Sequence, residues 1–475
     1  MLLKSSHVRP SKGFFRANRS RLLEYLRNRA GASNSSLVLL KGNTEHYVYD
    51  DDQTHPFSQD NTFWWATGID QPDVYTLINI GDGTTRAYIP VIEAFRKYWE
   101  RIMELEEYAE NFELDATHFI TDLEKHVSDA KPDTIYVLDG TNIYSGKGAL
   151  TAEFDWLKNF TVNTSALYPC VNEVKLKKSP EEIELLREAA RIGSEAHVFV
   201  LQHAKPGVNE SHLQTLFRFY CGMHGPTVQQ GYEEICAAGK NGAILHYIRN
   251  NCTVRDGQTV LLDAGAKING YNSDITVTFP INGKFTERQR QIYEVVLQAH
   301  NDVREFVKAG IHWQDAQITA EKSILAGLLK LGLVKGGTVE ELWAKRISYY
   351  FFPHGVGHYL GTYVHDLIGD PLKEKERRNI SHQNLRVYRR LEANMVLTNE
   401  PGVYFIDRLL EKAKNDSTIS EHFDFEKIAA YGEEIPGVRI EDMLVIHSDR
   451  AEGLTKVPRT VEQIEKCMAG QPWNN

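Results

Sequence analysis

The sequence has no uninterrupted apolar run of about 18 residues, the length a membrane-crossing helix needs, so no spanning segment is expected. Cysteine is scarce: the five present (Cys170, Cys221, Cys236, Cys252, Cys467) are scattered, odd in number and free of Cys-x-x-Cys spacing. That argues against a disulfide framework and for reduced thiols in a cytoplasmic protein. Positive charge is in deficit. A formal net charge of −10 argues against a surface built for nucleic-acid phosphates. Neither a Gly-x-x-x-x-Gly-Lys phosphate loop nor a Gly-x-Ser-x-Gly elbow occurs, which leaves nucleotide and serine-nucleophile chemistry without support. Internal repeats and low-complexity tracts are also missing.

What is present is an ordinary globular composition, 42% apolar and 25% charged, on a chain of 475 residues, too long for one core. The N-terminus is basic and free of acids until Glu24. A mitochondrial transit segment has that composition, but an amphipathic first helix with Leu22, Leu23 and Leu26 inward explains it more simply. Residues 1–172 read as an α/β domain. VYTLINI-GDGTT-RAYIP is a strand, a glycine turn and a strand, FRKYWERIMELEEYAENF has a helical pattern, and TIYVLDG is a buried strand.

A second domain is expected over 173–475. Ser179-Pro180-Glu181-Glu182 opens a helix with a capping box, and Ile183, Leu186 and Ala190 share one face. Another helix is expected from Thr286 to about Lys308, with a stripe of Ile292, Val295, Ala299, Val303 and Phe306. Helices alternate here with antiparallel strand pairs, an α+β pattern. Residues 373–390 (strongly basic) and 407–434 (charged, loop-like) look like surface insertions.

Five hard ligands stand in this half: Asp263 and Asp274 in LLDAGAKINGYNSDITVTFP, His358 in PHGVGHYLG, Glu400 in TNEPGVYF, and Glu441 in GVRIEDMLVI. Four carboxylates and one imidazole suit a pair of hard or borderline divalent ions. A turn centred on Asn269-Gly270 puts Asp263 opposite Thr276. Asp274 shares the parity of Thr276, so both aspartates face one side as diagonal neighbours, roughly 7–8 Å apart at the backbone. Carboxylates so placed repel unless cations lie between them. Each match is weak by itself; their order and contexts together make chance improbable.

In these contexts the order Asp, Asp, His, Glu, Glu resembles the metallopeptidases that include methionine aminopeptidase, aminopeptidase P and prolidase. NTFWWATGID, TVNTSALYPCVNEVK, GVGHYLGTYVHD and LTKVPRTVEQIEKCMAG extend the likeness to prolidase across roughly residues 15–470. The resemblance implies an α+β architecture, an N-terminal α/β domain plus a C-terminal pita-bread catalytic domain. It implies metal-dependent hydrolysis of the Xaa-Pro imide bond of dipeptides by a hydroxide bridging two ions. Manganese is the expected metal, with cobalt or zinc as alternatives. Asp263 and Asp274, His358, Glu400 and Glu441 would be the metal ligands. Glu400 would also shuttle a proton, and His365 and His354 would assist catalysis. His246, Arg386, Tyr232, Arg439 and Trp99 would serve substrate binding, Trp99 by reaching a neighbouring subunit's site in a homodimer. Arg386 stands fourteen residues before Glu400, where prolidase has the arginine that takes the dipeptide's carboxylate.

Three departures stand out. Asn399 precedes Glu400 where the family has an apolar residue. Asn394 replaces a glycine, which a left-handed backbone would tolerate. The loop after His246 is closer in length to that of bacterial aminopeptidase P, so an aminopeptidase acting on longer peptides is the alternative activity. A binding protein that keeps the fold is the non-catalytic alternative, against which all five ligands stand intact.

Overall fold

A computed structural model describes residues 8–225, 229–366 and 384–473. Its contacts cluster into two units. Residues 10–175 form one; 8–9, 176–225, 229–366 and 384–473 belong to the other.

The first unit is built on a mixed six-stranded sheet. Its strands are β1 (Leu37–Lys41), β2 (Tyr75–Asn79), β3 (Thr85–Ile89), β4 (Ala116–Phe119), β5 (Ile135–Val137) and β6 (Val162–Asn163), in the order β4-β3-β2-β1-β5-β6. β2 and β3 form the expected antiparallel pair, with Gly83 at φ +76° in the turn. The helix Phe14–Ala30 buries Leu22, Leu23 and Leu26. The long helix expected over 95–112 does not form. A 3₁₀ turn covers Ala94–Tyr98 and a short helix covers Leu105–Asn111. Glu104 starts that helix through a capping box with Glu107, while Phe95, Tyr98 and Trp99 remain exposed, so no core contact supports continuous helix between them.

The second unit holds β7 (Ile235–Ala238), β8 (Thr259–Asp263), β9 (Lys267–Ile268), β10 (Tyr271–Asn272), β11 (Thr276–Pro280), β12 (Val396–Asn399), β13 (Gly402–Tyr404), β14 (Gly437–Arg439), β15 (Asp442–Ile446) and β16 (Ala451–Gly453). They form the antiparallel sheets β11-β8-β7 and β12-β15-β16 and the pairs β9-β10 and β13-β14. A single bridge, Thr276 to Glu441, links the first sheet to the segment between β14 and β15. Helices Pro180–His203, Glu210–His224, Glu287–Phe306 and Trp313–Lys330 supply much of the core.

The capping box at Ser179 forms in both directions, at 3.2 and 2.7 Å. Thr286 caps the later helix, whose stripe buries Ile292, Val295, Ala299 and Val303; Phe306, at the last turn, is exposed instead. Residues 407–434 are not a loop. Helices Asp407–Asn415 and Phe425–Glu434 fill them, because Ala413, Ile428 and Tyr431 reach the core. Of the basic stretch 373–390, positions up to 383 lie outside the described residues. Among the described residues no helix is long and apolar enough to cross a membrane.

Candidate metal centre

The two aspartates are placed by strand register. Asp263 pairs with Thr276 across β8 and β11, and Asn269 (φ +45°) and Gly270 (φ +76°) make the turn between β9 and β10. Between the aspartates the strands close tightly: a Cβ on Gly265 would lie 1.9 Å from the Ser273 carbonyl oxygen. Both carboxylates face one side, where the Tyr232 hydroxyl sits 2.8 Å from Asp263 Oδ1 and 2.6 Å from Asp274 Oδ1. A hydroxyl has one proton for these two acceptors.

His358 comes from the chain before β12. Gly357 permits this approach, since a Cβ there would meet the Thr398 carbonyl at 2.1 Å. The His358 Nδ1 bonds to the Tyr359 carbonyl at 2.9 Å, which fixes the proton on Nδ1 and leaves Nε2 with its lone pair. That Nε2 lies 3.4 Å from Asp274 Oδ2 and 3.4 Å from Glu400 Oε1. Donor atoms of Asp274, His358 and Glu441 fall within 4.8 Å of one another. The Thr276 hydroxyl donates to Glu441 Oε2 at 2.7 Å, and that of Thr398 donates to Glu400 Oε1 at 3.3 Å.

The electrostatics say what such a cluster needs. Burial raises the pKa of Asp263, pushes Glu400 up to about 7, and drives Glu441 well above the carboxylate range; the neighbouring carboxylates add to all three shifts. His358 shows the complement: burial pulls it down, but Asp274 and Glu400 outweigh burial and raise it. Arg439 brings a guanidinium to the cluster. It is buried and donates to Asp263 Oδ2 at 2.5 Å, to the Thr276 hydroxyl at 3.2 Å and to the Tyr404 hydroxyl at 3.0 Å. Three buried carboxylates, the partly exposed Glu400 and an imidazole lone pair converge here, a donor set that fits a site for divalent ions.

A pH dependence follows. In metal-free protein the folded-state pKa of Glu400, about 7, lies above its ordinary 4.5. Its contribution to stability is therefore complete below pH 4.5 and lost by about pH 7. Divalent ions replace those protons, so metal should bind more tightly as pH rises through this window. The rise in Tm on adding Mn²⁺ to metal-stripped protein is expected to be small at pH 5 and larger, by several degrees, at pH 7.5. A pH-independent Mn²⁺ effect would contradict it.

The three other histidines surround the cluster. His354 Nδ1 bonds to the Gly355 carbonyl at 2.9 Å, so Nε2 accepts from the Tyr404 hydroxyl at 2.9 Å, which accepts in turn from Arg439. Burial, then Arg439, holds this ring neutral, with a pKa near 3. His354 Nδ1 is 3.9 Å from Glu400 Oε2. The His365 ring stands edge-on to His358, centroids 4.4 Å apart. His246 projects from the irregular chain after β7. Both His246 and His365 keep a solvent-exposed edge, but the desolvation they do suffer lowers their pKa values, and the half-buried Arg386 is near enough to lower them further.

Of the residues singled out in the sequence, only Trp99 is not among those gathered here. It belongs to the first unit, where it is 81% exposed. Arg389 is buried against Glu392 at 2.5 Å, whereas Arg390 is exposed and bonds to the Gly310 carbonyl. Asn394 is left-handed, at φ +68°. Asn399 is buried and donates to the His300 carbonyl at 3.0 Å, which explains a polar residue at this position. The sequence reading missed Tyr404, Thr276 and Thr398, whose hydroxyls complete the site; all three lie in or at apolar strands and carry no local signal. It also missed Asp442, held by Arg459 and His300 directly behind Glu441.

Residues 184–448 match the model of metallopeptidase family M24, and residues 15–136 match that of the aminopeptidase P N-terminal domain. The Xaa-Pro dipeptidases of Rattus norvegicus and Homo sapiens are each 36% identical over 461 residues, 96% of this chain and 93% of theirs. A probable Xaa-Pro aminopeptidase of Sordaria macrospora is 32% identical over 96% of this chain and 97% of its own. Among solved structures, a variant of Escherichia coli aminopeptidase P superposes with a TM-score of 0.79 at 29% identity, covering 97% of this chain and 99% of that one. Pseudomonas aeruginosa aminopeptidase PepP gives 0.79 at 27% identity, covering 98% and 99%. The chain belongs to metallopeptidase family M24.

Proposed function

We propose that this protein is a metal-dependent Xaa-Pro dipeptidase that hydrolyses the imide bond of dipeptides ending in proline. The observation that carries the proposal is the convergence of Asp263, Asp274, His358, Glu400 and Glu441, all but Glu400 buried, on an M24 framework. These five residues would hold two divalent ions, manganese in our reading. Such ions supply Lewis acidity and bring the pKa of a hydrolytic water toward neutrality.

The chain's own groups do the rest. Glu400, whose proton affinity burial has raised, takes the proton of the attacking water and delivers it to the departing proline nitrogen. His246 and His365 offer N–H donors toward the scissile carbonyl oxygen. His354 is held in place by Tyr404, itself bonded to Arg439, and Tyr232 and Arg439 orient the two aspartates. Arg386 receives the dipeptide carboxylate.

Val91, Phe95, Tyr98 and Trp99 are all more than half exposed, which supports a second copy of this chain as partner for that face. Five free cysteines, four of them buried, accord with a cytoplasmic setting. The second reading, an aminopeptidase acting on longer peptides, draws support from the aminopeptidase P structures above. The proposal is tested by stripping the metal: cleavage of Ala-Pro should cease and return with added Mn²⁺. Unchanged cleavage without metal would sink it.

A further inference from the structure

His246 is carried by a stretch with little structure of its own. After β7 there is one 3₁₀ turn, Gly239–Ala243, and then no strand until Thr259. One carboxylate nevertheless holds the stretch at three points and the last residue of β7 at a fourth. Glu210, the first residue of the helix Glu210–His224, is completely buried. Its Oε1 accepts from the Ala238 N–H at 2.9 Å and from Asn241 Nδ2 at 2.8 Å. Its Oε2 accepts from the Tyr247 hydroxyl at 2.8 Å and from the Cys252 N–H at 2.9 Å. The four acceptor positions of a carboxylate are thus filled by donors from a single segment. Asn209 caps the helix, so Glu210 is not spent on capping.

The grip has a direction. Tyr247 is drawn into a buried cluster with Ile235, Ala237, Leu261 and Tyr404, the tyrosine that joins His354 to Arg439. Its neighbours Ile244, His246 and Ile248 are left exposed. Holding Tyr247 down therefore presents His246 outward. We propose that Glu210 is a positioning residue for substrate binding, which fixes His246 by clamping residues 238–252. This inference rests on the hydrolytic reading above for its catalytic consequence.

Glu210→Gln tests it with minimal change of shape. An amide has an acceptor oxygen on one side only, so its NH₂ must face either the Ala238 or the Cys252 N–H, neither of which can turn away. On Ala-Pro, kcat/KM is expected to fall roughly 10-fold, mostly through KM. In a His246→Ala background the same change should cost less than about twofold, because the residue it positions is gone. An equal loss in both backgrounds, or none in either, overturns the proposal.

Hydrogen exchange read by mass spectrometry supplies a measure that needs no activity. Residues 238–252 of Glu210→Gln should exchange faster while the rest of the chain is unchanged; unaltered exchange in 238–252 overturns the clamp. Loss of Ala-Pro cleavage by the unsubstituted protein would instead fault the hydrolytic reading and leave the exchange result to judge the clamp. If Glu210→Gln fails to fold, Tyr247→Phe removes one arm only and enters the same cycle, with the same direction of effect.

Discussion

Asp274→Asn and Glu441→Gln are each expected to lower kcat on Ala-Pro by on the order of 10³-fold. Both substitutions keep side-chain shape. The Asn oxygen can still accept from Tyr232, and the Gln oxygen from Thr276, so the fold should be retained. What is lost is anionic charge at the point where His358, Asp274 and Glu441 come together. The metal-stripped variants should be at least as stable as the stripped parent. Burial and mutual repulsion raise the pKa of Glu441, and removing one carboxylate relieves that strain. The signature is thus lost turnover and lost metal with Tm preserved. Turnover like that of the parent in either variant would exclude these residues as ligands.

Arg386→Ala is expected to reduce kcat/KM on Ala-Pro by roughly 10²-fold while leaving Ala-Pro-Ala nearly unaffected. The guanidinium is half-buried and lies near His246 and His365. Pairing there with a carboxylate carries little of the solvent screening that weakens surface ion pairs. Neither neighbouring arginine can stand in for it, because Arg389 is committed to Glu392 and Arg390 to the Gly310 carbonyl. Only a dipeptide brings its carboxylate next to proline, so the two substrates should separate. Equal losses on both would make Arg386 a general site residue and favour the aminopeptidase reading.

Much of the centre was legible because it depends on local rules. Asn269-Gly270 sets a turn, the turn sets the register, and the register places Asp263 opposite Thr276. Ser179 and Glu182 announce a helix start in the same local way. Failures came where distant contacts decide. Residues 95–112 have a helical pattern but no core to lie against, whereas 407–434 look like loop and become helix once Ala413, Ile428 and Tyr431 find the core. Tyr404 reads as a strand aromatic; only the fold brings its hydroxyl between His354 and Arg439. Glu210 reads as an ordinary acid in a first helical turn, and its four partners lie 28 to 42 residues away.

The central claim is that divalent ions at this cluster drive Xaa-Pro cleavage. The most direct measurement is a Mn²⁺ titration of metal-stripped protein, with bound metal and proline release from Ala-Pro read on the same samples. Activity should be absent without metal, grow with occupancy, and level off once two ions are bound per chain. No proline release at full occupancy, or release that ignores occupancy, would contradict it.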